Sequence, residues 1–204
     1  MLIVQLFPTN LETILFSSAI FLWVVTEAIG GGIIPMLRRR GGDTKKKDKG
    51  SVLILRVLMY VSVMIAILFD LENTAMLPNW FFYPGIVLIV IGTLVRQWSI
   101  FVLGRFFTLT VSVQKNQKVV DHGPYRYIRH PSYLGLFLII VGIGLALQSW
   151  GGIIVLLVMN GVAFGYRMHV EEKVLVSELG DDYIQYMKRT KRLIPSYSNS
   201  FYSI

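Results

Sequence analysis

Residues 134–166 read LGLFLIIVGIGLALQSWGGIIVLLVMNGVAFGY, a long apolar passage without a single charged side chain, interrupted only by Gln148-Ser-Trp-Gly-Gly152. Its length and character point to two membrane helices joined by a hairpin at Gly151-Gly152. Three further apolar stretches precede it, at about 11–37, 51–69 and 80–103. Each offers about the 20 helical residues that cross a hydrocarbon core of roughly 30 Å. The expected fold is therefore an all-α, multi-pass integral membrane protein of five transmembrane helices, forming a single domain over residues 1–204. Composition agrees: the chain is 54% apolar and 16% charged, with a mean hydropathy of +0.59, outside the usual range of soluble domains.

The basic residues orient these spans, because Lys and Arg accumulate in cytoplasmic loops. Of 20 in the chain, seven fall in 38–50, five between Arg105 and Arg129, and six from Arg167 onward. The connectors 70–79 and 148–152 and the first ten residues contain none. With five spans, loop 38–50, segment 104–133 and the tail after 167 share the cytoplasmic face, and the N-terminus lies outside. Arg56 and Arg96 then sit near cytoplasmic helix ends, where a long side chain can snorkel. The net charge of +8 reads as attraction to anionic lipid headgroups rather than to nucleic acid, since no nucleic-acid-binding pattern accompanies it. With no cysteine, disulfides and thiol chemistry are excluded. The first apolar run lacks a basic leading region and is too long for a signal peptide, so it reads as a retained helix.

Local signals refine the helices. Gly30-Gly-Gly32 and Pro35 should weaken or kink the first near its inner end, just after Glu27, a carboxylate at a costly depth that is expected to pair with a neighbouring helix or to be held protonated. Loop 38–50 reads as flexible. Gly123-Pro124 suggests a turn, and Pro131 suits the first turn of a helix beginning near His130. The last span should run past the membrane edge to a cap at Gly180, followed by a short amphipathic helix within 181–191.

The richest chemistry lies in Asp121-His-Gly-Pro-Tyr-Arg-Tyr-Ile-Arg-His-Pro-Ser-Tyr-Leu-Gly135, followed one apolar passage later by Arg167, Glu171 and Glu172. A polar stretch this long between spans is usually functional. From about Gly104 to Pro195 the chain closely resembles the signature region of the isoprenylcysteine carboxyl methyltransferases, integral membrane enzymes that methyl-esterify a prenylated cysteine, and is similar to their short prokaryotic or archaeal-type members. The resemblance implies S-adenosylmethionine as cofactor, S-adenosylhomocysteine as product, no metal, and a prenylated cysteine or protein C-terminus as substrate, within a membrane-lipid setting. It implies a cofactor site formed by a cytoplasmic segment, with Tyr125, His130, Pro131, Ser132, Tyr133 and Glu171 as cofactor-binding positions. Gln114 and the strip Gln117, Lys118, Val119 and Val120 match a further cofactor-contacting stretch. Arg167 matches the position that addresses the substrate. The membrane would be the cell membrane in a prokaryote and the endoplasmic reticulum in a eukaryote.

The residues themselves suit this chemistry. Methyl transfer from a sulfonium to a carboxylate needs no general base, because the nucleophile is already anionic, so positioning and desolvation should dominate. A guanidinium holds a carboxylate better than an ammonium, which favours Arg167 as the catalytic and substrate-binding group. Arg167 and Glu171 are four apart and share a helical face. Read alone they could equally form a surface ion pair, just as Arg126, Arg129 and Tyr127 could serve only the interface. His130, at a helix start, could hold a carboxylate. The spacing of His122, His130 and His169 fits no zinc pattern. The principal alternative is a phospholipid N-methyltransferase, which shares the Gly-Pro-Tyr and His-Pro elements but needs a proton acceptor such as Glu172 or His122. An NADPH-dependent sterol reductase and a non-enzymatic helical protein are more distant alternatives.

Overall fold

The computed structural model describes residues 7, 9–34, 50–72, 76–111, 113 and 117–194. Pro35, Gln114 and nearly all of the basic loop 38–50 lie outside them. The described residues form six α-helices: α1 (Asn10–Thr26), α2 (Ser51–Leu71), α3 (Phe82–Leu103), α4 (Pro131–Ala146), α5 (Trp150–Leu179) and α6 (Asp181–Arg189). The hydroxyl of Thr9 caps α1 by accepting from Glu12 N at 3.1 Å. At its other end α1 widens into a π-helical segment, Glu27–Ile33, over the three consecutive glycines expected to weaken it. Short 3-10 turns at Asn79–Phe81, Gly104–Phe106 and Gly123–Arg126 complete the connections.

Two helix pairs form the frame. α3 and α4 are antiparallel and meet backbone to backbone. A Cβ on Gly92 would lie 2.6 Å from the Gly135 carbonyl, one on Gly135 2.7 Å from the Gly92 carbonyl, and one on Gly142 2.6 Å from the Gly85 carbonyl. Glycines seven apart on each helix thus make the seam, as small residues do wherever membrane helices approach closely. Ile89, Ile139 and Ile140 flank it, all fully buried. α2 and α5 form the second pair, joined by polar contacts at two heights and small-residue packing at a third. Arg167 Nη1 donates to Ser51 Oγ at 2.6 Å, Asn160 Nδ2 donates to Ser62 Oγ at 2.8 Å, and Gly152 packs on Ala66. α1 packs on α3, and α4 on α5.

These contacts gather the end of α1, the start of α2, the end of α3, the start of α4 and Arg167 of α5 at one face of the bundle. The opposite face holds the start of α1, where Phe7 meets Phe82 edge-on, and the link from Leu77 N to the Gln148 carbonyl at 2.5 Å.

The expectation of five spanning helices is corrected. Among the described residues four helices are long and apolar enough to cross a membrane: Asn10–Ile33, Ser51–Leu71, Asn79–Phe106 and Trp150–Leu179. α4 has only 16 residues, about 24 Å at 1.5 Å per residue, short of a core of roughly 30 Å. Ten of those residues are buried, so α4 owes its apolar character to packing inside the protein. The hairpin also moves: it turns at Leu147 and Gln148, with Gln148 at φ 54, while Gly151 and Gly152 fall in the first turn of α5, capped by Ser149. α5 does run on to Gly180, whose φ of 58 ends it, and α6 follows directly.

Gly135→Ala should lower thermal stability in detergent by at least the 1 to 3 kcal/mol typical of overpacking, since its new methyl meets backbone that cannot swing away. Gly161→Ala, with nothing within 4 Å, should be neutral or stabilising by up to about 1 kcal/mol. Equal melting temperatures for the two variants would contradict the seam.

Candidate active site

A cavity of about 600 Å³ opens where the four helix ends and the Arg167 stretch of α5 gather. Its apolar wall comes from Trp23 and Val24 of α1, Leu55 and Met59 of α2, and Leu136 of α4. Its polar wall comes from Arg96, Tyr125, Ser132, Tyr133, Arg167 and Glu171. Val24 and Tyr60, both on the lining, are about half or more exposed. The chamber therefore reaches from buried charges to exposed side chains of α1 and α2.

Arg167, 3% exposed, sits on the deep wall. Its Nε donates to Tyr133 Oη at 3.0 Å, Nη1 to Ser51 Oγ and Nη2 to the Leu109 carbonyl, both at 2.6 Å. The Tyr133 hydroxyl in turn donates to Glu171 Oε2 at 2.9 Å. Arg167, Tyr133 and Glu171 thus form one row across the α4–α5 interface. Arg167 and Glu171 are on one helical face as their spacing requires, but a phenol joins them.

The second cation on the wall is Arg96. It does not snorkel: it is 6% exposed and forks onto Glu27, with Nε to Oε2 and Nη2 to Oε1 both at 2.5 Å. Nη1 donates to Ser132 Oγ at 2.6 Å. Arg96 can lie this deep because a bidentate carboxylate and a hydroxyl satisfy its donors. Glu27 pairs with a neighbouring helix as expected, and it does so at the start of the π-helical segment.

Glu172, the next residue after Glu171, turns away from the row. Its Oε1 accepts from Arg129 Nε at 2.9 Å and lies 3.1 Å from His130 Nε2; its Oε2 accepts from Arg192 Nε and Nη2 at 2.9 and 2.6 Å. These hydrogen bonds hold Arg192 above its ordinary range, and so charged. Arg129 also donates to the carbonyls of Met187 and Thr190. Beside this cluster, Tyr183 and Tyr186 of α6 face inward onto the cavity. Burial pushes the Tyr186 hydroxyl up to about 12, so at neutral pH it is protonated and donates to the Tyr125 carbonyl at 2.7 Å.

Of the residues singled out from the sequence, Gln117, Lys118, Val119, Val120, Tyr125, His130, Ser132, Tyr133, Arg167 and Glu171 all line this one cavity. Pro131 is buried in the first turn of α4 and is not on the lining. Gln114 lies outside the described residues. His130 has its Nε2 turned to Glu172, and Arg129 is buried against the same carboxylate, whereas Arg126 and Tyr127 are exposed. Not named from the sequence were Arg96 as the partner of Glu27, the Glu172 cluster, and the anchoring of Arg167 by Ser51 and Leu109. Only the first left a signal: two opposite charges inside apolar runs, each needing a partner. Among the described residues no three His, Asp or Glu side chains are placed to share a metal ion.

Glu27→Gln should destabilise the protein by about 3 to 5 kcal/mol, the usual effect of stranding a buried charge. The double variant with Arg96→Gln should lose less than the two single losses combined. Strict additivity in a thermal-melt double-mutant cycle would contradict the pairing.

Known proteins resemble this arrangement. Residues 85–177 match the isoprenylcysteine carboxyl methyltransferase (ICMT) family. The chain is 29% identical over 57% of its length to protein-S-isoprenylcysteine O-methyltransferase A of Arabidopsis thaliana, covering 60% of that protein. It is 28% identical over 70% of its length to the Schizosaccharomyces pombe protein-S-isoprenylcysteine O-methyltransferase, covering 57%. The chain thus spans about 60% of the length of these curated relatives. It spans 84% of the uncharacterized protein YpbQ of Bacillus subtilis, at 26% identity over 67% of this chain. Among solved structures, the eukaryotic intramembrane Ras methyltransferase ICMT superposes with a TM-score of 0.57 at 27% identity, over 72% of this chain and 53% of that one. The matched region carries most of α3, all of α4 and most of α5, with the Arg167, Tyr133 and Glu171 row inside it, and it is through that region that the chain is similar to the isoprenylcysteine carboxyl methyltransferase family.

Proposed function

We propose that this protein uses S-adenosylmethionine to methyl-esterify the C-terminal carboxylate of a prenylated cysteine, releasing S-adenosylhomocysteine. The observation that carries the reading is the cavity itself. Within the family-matched region it sets a buried arginine, a tyrosine and a carboxylate in one hydrogen-bonded row and continues into an apolar chamber that reaches exposed side chains of α1 and α2.

The lining suits the cofactor. A volume of about 600 Å³ is within the range of small-molecule sites. The buried Thr110 hydroxyl on the wall has no hydrogen-bond partner among the described residues, as a group awaiting a polar ligand would. Tyr125 offers an aromatic face and Glu171 a carboxylate for the cationic amino acid end, while Gln117 to Val120 add a second edge. Bound there, the sulfonium supplies an electrophilic methyl group. Arg167 holds the acceptor carboxylate, its guanidinium plane fixed by Ser51, Leu109 and Tyr133. Tyr133 ties that cation to Glu171, so the groups addressing the two reactants are set relative to one another. The apolar wall receives the prenyl chain and excludes water, and no residue has to remove a proton.

The basic residues of the described loops lie at the same face as the cavity, which supports a site facing the cytoplasm with the start of α1 on the outer face. The acceptor then reaches the site laterally from the membrane, between α1 and α2. Coverage of most of a bacterial relative supports a short, prokaryotic-type member. Phospholipid amine methylation is not favoured. Of the proton acceptors it would need, Glu172 is saturated by two arginines and a histidine, and His122 is not on the lining.

Purified protein given methyl-labelled S-adenosylmethionine and N-acetyl-farnesylcysteine should yield base-labile label, counted as volatile methanol after mild alkali. Arg167→Lys should lower kcat by about tenfold or more, the range of a lost charge-assisted hydrogen bond, and Glu171→Gln should chiefly raise the cofactor KM. Label resistant to alkali, or two variants as active as the parent, would sink the assignment.

A further inference from the structure

Three elements distant in sequence converge on Glu172. From α5 comes the carboxylate itself, 4% exposed. From the segment before α4 come Arg129 and His130, both on the cavity lining. From the segment after α6 comes Arg192, whose side chain is 48% exposed. The backbone repeats the connection: Arg129 N donates to the Lys191 carbonyl at 2.8 Å and His130 N to the Arg192 carbonyl at 3.0 Å, around a parallel bridge between Ile128 and Lys191. Residues 181–194 therefore form a strap that leaves α5 at Gly180, lays Tyr183 and Tyr186 against the cavity, and is sewn to 125–130. One carboxylate bonds both arginines at that seam, and no other acidic side chain does so among the described residues.

Resting on the cofactor reading above, we infer that Glu172 is a positioning residue for the cofactor pocket. Through Arg129 and His130 it holds the segment that carries Tyr125, and through Arg192 it clamps the C-terminal strap as the pocket's closing wall. It touches neither reactant, so its effect falls on cofactor affinity and not on the transfer step. Glu171 and Glu172, side by side in sequence, then divide the work: the first faces the cavity and the second holds the wall in place.

Glu172→Gln strands the buried Arg129 and is expected to fold poorly, so the half-exposed Arg192 gives the cleaner test. The full-length protein in detergent would be compared as parent, Arg192→Gln and Arg192→Lys. Binding of S-adenosylhomocysteine would be measured by calorimetry, kcat at saturating cofactor by methyl transfer, and backbone opening by hydrogen exchange. Arg192→Gln should weaken S-adenosylhomocysteine about tenfold, equivalent to about 1.4 kcal/mol, with kcat changed by less than about threefold. Exchange should quicken in 121–130 and 181–194 while α3 and α4 stay protected. Arg192→Lys, which keeps the charge but not the fork, should fall between. An Arg192→Gln variant that binds as tightly as the parent, or that loses kcat with affinity unchanged, overturns the inference and leaves the functional reading standing. A parent protein that binds no S-adenosylhomocysteine overturns both.

Discussion

The backbone contact between α3 and α4 is the constraint on which the rest depends. Glycines at 85 and 92 on one helix and 135 and 142 on the other remove every Cβ that would hold the helices apart, and carbonyls sit where methyl groups would otherwise be. Without a hydrophobic force between helices in lipid, such close packing is what specifies a partner. It also fixes a register. Gly135 lies against Arg96, so the first turn of α4 is locked to the C-terminal part of α3, and Arg96 meets Ser132 there. His130 and Tyr133 inherit their positions from that lock.

The same register explains how three arginines are accommodated in the interior at one end of an apolar bundle. Each is held by oxygen atoms placed by another element: Arg96 by Glu27 and Ser132, Arg129 by Glu172 and two carbonyls, Arg167 by Ser51, Leu109 and Tyr133. A buried guanidinium without such partners would be strongly destabilising. Arg96 and Arg129 are each paired with a carboxylate, so the charge that addresses the proposed anionic acceptor is that of Arg167, and its hydroxyl and carbonyl partners keep it from reorganising when a ligand arrives. The π-helical segment after Thr26 belongs to the same arrangement, since it is where α1 presents Glu27 to Arg96.

Much of this was written in local sequence. Apolar length marked α1, α2, α3 and α5; Gly180 marked the end of α5; the polar aromatic stretch 121–135 marked the residues that come together on the cavity. What hydropathy could not separate was an apolar helix that faces lipid from one that is buried in protein, and α4 is the second kind. The glycines that bury it were visible at seven-residue spacing, but their partner helix was not. Arg96 was read as snorkelling because depth, not pairing, is what position in a run conveys. Glu172 stood beside Glu171 with no sign that the two point into different environments, a difference that arises only when the strap folds back from residue 180.

The central claim is that donor and acceptor meet in one cavity at the gathered helix ends, beside the Arg167, Tyr133 and Glu171 row. A structure of the protein with S-adenosylhomocysteine tests it most directly. The account predicts density for the ligand against Tyr125, Tyr133 and Glu171, with Arg167 left facing the apolar chamber and the α3–α4 seam unchanged. Ligand bound elsewhere on the molecule, or bound so that it fills the chamber beside Leu55 and Met59, would contradict it.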